Sequence, residues 1–401
     1  MDTKNTPLQI SFNYDDFYRD QIVPTLHFLY QPHTLTVLLV MLLAFLYVAV
    51  YRSSVDPVDN IKTGLVASSI VLVFIGSLHL PNGPFIRPHP AFWRFVMALN
   101  VVYQLFLVFL LFQDKHHSRA WLGYIDSSLG VRLPERSYAE FCDFTYVNIK
   151  SQMDIFVVAH ALGWFAKALI IRDYWFCWIL SIMFELMEYS LQHHLPNFAE
   201  CWWDHWILDV FICNWLGLYL GMKACEYFKM KHYSWRGVKD YQSYSGKVKR
   251  TVAQFTPHSW TTFEWGPTKT FKNFVAVIFY LFMFLLCEIN AFYLKYLLWI
   301  PPEHILNPIR LVLYFFFGSA ATREAYQFLT DPRCKRLGSQ AWLVIASIMT
   351  ETLICIKYGK DEFLNPAPAH VKIFWAIGVS ALSIWAWNFF YFSKRKIQKI
   401  N

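Results

Sequence analysis

Apolar runs recur along this chain from residue 34 to residue 393, separated by polar connections of very unequal length. A helix rising 1.5 Å per residue needs about 20 apolar residues to cross a hydrocarbon core of about 30 Å. Ten runs reach or approach that length: about 34–51, 62–80, 93–112, 153–171, 173–191, 205–223, 273–299, 305–320, 340–357 and 370–393. The pattern predicts an all-α, polytopic membrane protein with about ten transmembrane helices. A polar arm over 1–33 precedes the integral domain over 34–393, and a short basic tail over 394–401 follows it. Only Arg172 and Asp173 separate the fourth run from the fifth, which predicts a tight antiparallel hairpin. Four prolines break the connection PNGPFIRPHPAFWR before the third run, and Pro301 with Pro302 ends the seventh.

Composition agrees: the chain is 56% hydrophobic and 16% charged, against about 25% charged in soluble domains. The net charge of +8 suggests nucleic acid, but most basic residues sit in connections, where membrane topology accounts for them. Ten spans put both termini on one side. With that side cytosolic, the basic connection 224–271, the RCKR segment at 333–336 and the tail all face the cytosol. The connections 192–204 and 300–304 then face away and carry no Lys or Arg, in keeping with the positive-inside rule. The long connection 114–151 places Lys115, Arg119, Arg132, Arg136 and Lys150 on the non-cytosolic side, against that trend. The first run is expected to act as a signal anchor. Eight cysteines form no CxxC pair; Cys142 and Cys201 lie in connections, where a disulfide can join them.

The candidate chemistry lies between His160 and Asn214. This apolar stretch carries His160, Glu185, Glu188, Asn197, Glu200, Asp204, Asp209 and Asn214. An acid at a bilayer centre costs on the order of 3 kcal/mol, so such residues mark function by default. In the ten-span topology His160, Glu185, Glu188, Asn197, Glu200, Asp204 and Asp209 converge at one depth on the non-cytosolic side. Glu185 and Glu188, at i, i+3, share a helical face. Carboxylates in this number suit a hard cation, calcium before magnesium. His205 and Asp209, at i, i+4, offer a transition-metal pair instead. Intramembrane ion pairing with Lys167 or Arg172 is the structural alternative, and Asn214 taken alone can simply bridge two helices. His160, on one helical face with Gly163 and Lys167, is placed to accept a proton from an attacking hydroxyl. His193 and His194 read as surface residues, and Glu288 as a buried structural partner. Arg87, Arg250, Arg323 and Arg336 lie in separate cytosolic connections or flanks. They read either as plain positive-inside charge or as a pocket for an anionic lipid head group.

The segments PNGPFIRPHPAFWR, LPNFAECWWDHWILD, GKVKRTVAQFTPHSW and LTDPRCKR resemble those of the eukaryotic base-exchange phosphatidylserine synthases. The likeness runs from YQPHTLT near residue 30 to the tenth run. It implies an enzyme of the endoplasmic reticulum and its mitochondria-associated membrane. It implies calcium-dependent exchange of L-serine for the head group of phosphatidylcholine or phosphatidylethanolamine. The family's essential polar residues match His160, Glu185, Glu188, Asn197, Glu200, Asp204, Asp209 and Asn214. On that basis His160 is the catalytic residue. Glu185, Glu188 and Asp209, with Glu200 or Asp204, hold calcium, while Asn197 and Asn214 bind substrate. Restraint by the product phosphatidylserine is implied at Arg87 and Arg250, and Arg323 and Arg336 extend that basic patch. A homodimer is the expected assembly. A covalent phosphohistidine at His160 is the rival mechanism. Another intramembrane phosphodiesterase or phosphotransferase and a cation-coupled transporter are the other classes. The D-x-x-D-G-x-x-A-R pattern of the CDP-alcohol phosphotransferases is absent.

Overall fold

The computed structural model describes residues 32–51, 56–85, 87–133, 139, 142–153, 155–230, 242–253 and 263–392. Most of the arm 1–33, the tail 394–401 and parts of the connection 224–271 lie outside the described residues. Among the described residues the regular structure is helical, with no strand. The helices are α1 (Pro32–Tyr51), α2 (Pro57–His79), α3 (Pro90–Phe112), α4 (Lys115–Ile125), α5 (Tyr146–Gln152), α6 (Ile155–Ile171) and α7 (Tyr174–Leu191). A π-helical segment, Asp204–Asn214, runs into α8 (Trp215–Met230). Then come α9 (Tyr244–Ala253), α10 (Phe271–Leu297), α11 (Leu306–Thr330), α12 (Ser339–Gly359) and α13 (Ala369–Trp387).

Each of the ten apolar runs is therefore helical. Among the described residues, six helical stretches are long and apolar enough to cross a membrane: Pro57–His79, Pro90–Phe112, Asp204–Phe228, Phe271–Leu297, Ser339–Gly359 and Ala369–Tyr391. Helix α11, expected to end near residue 320 or, in a longer reading, to run through Phe328, ends at Thr330. Its last turns carry Arg323 and Glu324, where an apolar-run reading stops. Glu324 is used structurally, since its Oε2 accepts from the backbone N–H of Ala341 at 2.8 Å.

The described residues up to Leu80 form one compact unit and those from Pro81 onward a second. In the first, Asp56 caps α2 by accepting from Val58 N–H, with Pro57 at the first helical position. The second unit holds every candidate site residue. There α3, α10, α11 and α12 pack around a buried polar centre. Arg310 Nη2 lies 2.7 Å from Glu351 Oε2, and Glu351 is fully buried. Tyr103 donates to Glu351, while Asn290 Nδ2 donates to Ile348 O at 3.0 Å. Removing one partner of such a pair strands a buried charge and costs about 3–5 kcal/mol.

The predicted hairpin is present: α6 ends at Ile171 and α7 begins at Tyr174. Arg172 turns the chain with φ 56°, and Asp173 caps α7 by accepting from Phe176 N–H at 3.0 Å. α6 packs most closely against α8. Two glycines on α8, four residues apart, permit that approach: a Cβ on Gly217 would strike Ala161 O, and one on Gly221 would sit 2.6 Å from Ala168 Cβ. This is the small-residue contact by which membrane helices associate.

The connections meet at opposite ends of the second unit. At one end Lys115 Nζ lies 2.7 Å from Glu362 Oε1, and Arg119 Nε donates to Leu297 O. His194 there contacts Tyr293 Oη at 3.0 Å and Asn365 O at 3.2 Å. At the other end Trp265 Nε1 donates to Ile171 O, and Gln340 Nε2 reaches Trp93 O at 3.5 Å.

Candidate active site

The first polar group joins α6 to the junction of the π-helix and α8. His160 Nε2 lies 2.6 Å from Asn214 Oδ1, and Asn214 Nδ2 donates to Ser181 Oγ at 2.7 Å. The indole N–H of Trp164 lies 3.1 Å from the same Nε2. Two partners therefore contest that nitrogen: the indole asks for a lone pair, the amide oxygen for a proton. The amide contact is the shorter. With the proton on Nε2 it leaves Nδ1 as the free base, and Nδ1 faces Asp209 Oδ1 at 3.8 Å. Asn214, expected to bind substrate, bridges His160 and Ser181.

The second group lies where α7 faces the first turns of the π-helix. His205 Nδ1 is 3.0 Å from Glu185 Oε2, 3.4 Å from Glu188 Oε2 and 3.9 Å from Glu200 Oε2. Glu185, Glu188 and His205 are all buried, and their ligand atoms lie within 4.8 Å of one another. Asp209 interacts electrostatically with Glu200, Glu185 and Asp204, so all five predicted acids share one neighbourhood. Glu200 lies in the connection, outside the spans; burial and the Glu188 carboxylate push its carboxyl up to about 8. Asn197 sits half-buried in the 3-10 turn Pro196–Phe198, three residues before Glu200.

These residues fit a divalent cation. The donors are carboxylates, and Glu185 Oε1 is buried with no hydrogen-bond partner among the described residues. An acceptor left in that state costs about 1–3 kcal/mol, more when charged, which a cation removes.

The π-helix makes this convergence possible. At 3.6 residues per turn, residues nine apart stand on opposite faces of an α-helix. The wider i→i+5 turn brings His205, Asp209 and Asn214 toward one side. Reading this segment as a regular span treats His205 only as a partner for Asp209; its place among the glutamates is not legible from spacing. Cys142 and Cys201 form a disulfide, with Cα atoms 5.1 Å apart, beside Glu200. Phe144 follows it, its ring 6.1 Å from Trp202 and 6.2 Å from Trp203.

Other expectations resolve differently. Glu288 is a structural partner, 2.8 Å from Lys167 Nζ, which takes Lys167 away from the acid group. His194 is not a simple surface residue, since it ties the 360–368 connection to α10. Arg87 is buried, and its carbonyl accepts from Trp93 Nε1 at 2.7 Å. Arg323 lies on α11, 5.9 Å from the ring of Phe263, and Arg336 is exposed between α11 and α12. All three lie toward the end opposite the acids. Arg250 is on α9, and its side chain lies outside the described residues.

A histidine facing a buried carboxylate group within a helical membrane scaffold is an arrangement that intramembrane enzymes require. A sequence model of the family described as "Phosphatidyl serine synthase" matches residues 88–359. Phosphatidylserine synthase 2 of Danio rerio is 47% identical over 374 residues, covering 90% of this chain and 83% of the relative. The human protein of that name is 46% identical over 90% of this chain and 77% of its own. A CDP-diacylglycerol–serine O-phosphatidyltransferase 2 of Oryza sativa subsp. japonica is 41% identical, with 91% of each chain covered. The chain belongs to the phosphatidylserine synthase family and is an enzyme of that class.

Proposed function

We propose that this protein makes phosphatidylserine by calcium-dependent base exchange, replacing the choline or ethanolamine of a phospholipid with L-serine. The observation that carries this reading is the juxtaposition of His160, oriented by Asn214, with the buried carboxylates of Glu185, Glu188, Glu200 and Asp209. Glu185, Glu188 and Asp209, with Glu200 or Asp204, would hold the calcium, which supplies positive charge to the lipid phosphodiester. Nδ1 of His160 takes the proton of the serine hydroxyl as that oxygen bonds to phosphorus. The phosphorus–oxygen bond to choline or ethanolamine breaks, and His160 returns the proton to the departing alcohol. One phosphodiester replaces another, so no nucleotide is consumed. Asn197 and the acid left over from metal binding grip the ammonium and carboxylate of serine.

The site faces the lumen of the endoplasmic reticulum and its mitochondria-associated membrane, with ten spans and both termini cytosolic. The Cys142–Cys201 disulfide beside Glu200 supports that orientation, because disulfides persist in the oxidising lumen and not in the cytosol. The enzyme acts as a homodimer, and phosphatidylserine restrains it at the cytosolic arginines Arg87, Arg250, Arg323 and Arg336.

The name of the rice relative favours a second reading, with CDP-diacylglycerol as phosphatidyl donor. Labelled serine, supplied to the purified protein with phosphatidylcholine, phosphatidylethanolamine or CDP-diacylglycerol in turn, separates the two. Label should enter lipid with one or both phospholipids and disappear with a calcium chelator. Labelling confined to the CDP-diacylglycerol arm would overturn base exchange.

A further inference from the structure

Three glutamates from two elements converge on one nitrogen. Nδ1 of His205 has Glu185 Oε2 at 3.0 Å, Glu188 Oε2 at 3.4 Å and Glu200 Oε2 at 3.9 Å. Separations of this size are those of neighbouring ligand atoms on one cation, since two donors bonded at right angles at about 2.1 Å lie about 3 Å apart. The imidazole is fully buried and packed against the tilted ring of Tyr189, with ring centroids 4.4 Å apart. A ring packed this way has no room to swing aside. A cation drawn in by Glu185, Glu188 and Glu200 therefore meets Nδ1. Without a cation, the same nitrogen donates its hydrogen to Glu185 Oε2.

We infer that His205 is a nitrogen ligand of the divalent-cation site, and that it sets which cation the site prefers. This rests on the proposed metal site but goes beyond an all-oxygen cage. Calcium takes oxygen donors, whereas an imidazole favours first-row transition ions. A site of these carboxylates with one imidazole added accepts Mn2+ readily, and His205 carries that acceptance. His160 stands apart: its Nδ1 faces Asp209 at 3.8 Å and is not among the three glutamates.

The test is pulsed electron paramagnetic resonance on the purified full chain loaded with Mn2+ in detergent–lipid micelles. Bound Mn2+ should show the modulation of a directly coordinated nitrogen. Expression with 15N-histidine should convert that signal to the 15N pattern, which needs no variant to fold. His160→Gln should keep the signal and His205→Gln should lose it. His205→Gln should weaken Mn2+ binding at least tenfold while changing Ca2+ binding less than threefold. Bound Mn2+ without nitrogen modulation, a signal that survives His205→Gln, or no Mn2+ binding would overturn the inference. Calcium-dependent serine exchange alongside any of those results would leave the exchange reading standing and remove only His205. A histidine signal without exchange would do the reverse.

Discussion

At the scale of single residues, the proposed base His160 and the proposed carboxylate cradle for a cation meet at Asp209. His160 is held through Nε2 by Asn214, so its free nitrogen points where the acids gather. His160→Gln keeps a polar side chain of similar reach but removes the proton acceptor. General-base catalysis contributes about 10²–10⁴-fold, so exchange by this variant should fall by at least 10²-fold with calcium binding retained. Exchange within a few-fold of the parent would remove His160 from the chemistry. The acids of this site stand out in the sequence because apolar surroundings make a charge conspicuous, whereas Ser181, which accepts from Asn214, does not. What a residue does there was less legible. Asn214 reads as a substrate contact and is also hydrogen-bonded to His160 and Ser181; Lys167 reads as a neighbour of the acids and is paired with Glu288.

At the scale of elements, two features bring those residues together, and the sequence shows only one of them. The ten helices follow from apolar run length. So does the α6–α7 hairpin, because two polar residues leave no room for anything else. The π-helical winding of Asp204–Asn214 has no counterpart in the hydrophobic pattern, and it is what turns His205, Asp209 and Asn214 to a common side. The glycine contact between α6 and α8 then sets the distance from His160 to Asn214. Gly217→Val should force the helices apart, lowering thermal stability in detergent and abolishing exchange. Gly163→Ala, on the same helix as His160, meets nothing within 4 Å and should be tolerated in both measurements. Equal behaviour of the two variants would contradict the close-packing account.

For the molecule as a whole, the residues at each end of the second unit do different work. One end carries the acids, the disulfide and a clamp of charged connections; the other carries Arg87 and Arg336. The buried pair of Arg310 with Glu351 is not legible in the sequence, because each residue alone looks like a flank or a stray charge. Only packing shows that they meet. The clamp gives the molecule a pH dependence. The hydrogen bond from Lys115, aided by the Lys115 and Arg119 charges, holds the Glu362 carboxyl below its ordinary range. A depressed carboxyl contributes fully above the unfolded value of about 4.3 and loses its contribution as pH falls through the lower folded value. The thermal stability of the parent should therefore fall on acidification below about pH 5 by more than that of Glu362→Gln. Parallel curves for the two proteins would show that the clamp carries no such stability.

The measurement that tests the central claim most directly is the stoichiometry of head-group release. Purified protein would receive phosphatidylcholine carrying labelled choline, together with serine and calcium and no nucleotide. Exchange at a single site predicts one free choline for each phosphatidylserine formed, with no phosphatidic acid, and no release when serine is omitted. Choline release without serine, or phosphatidylserine formed without matching choline, would contradict the account.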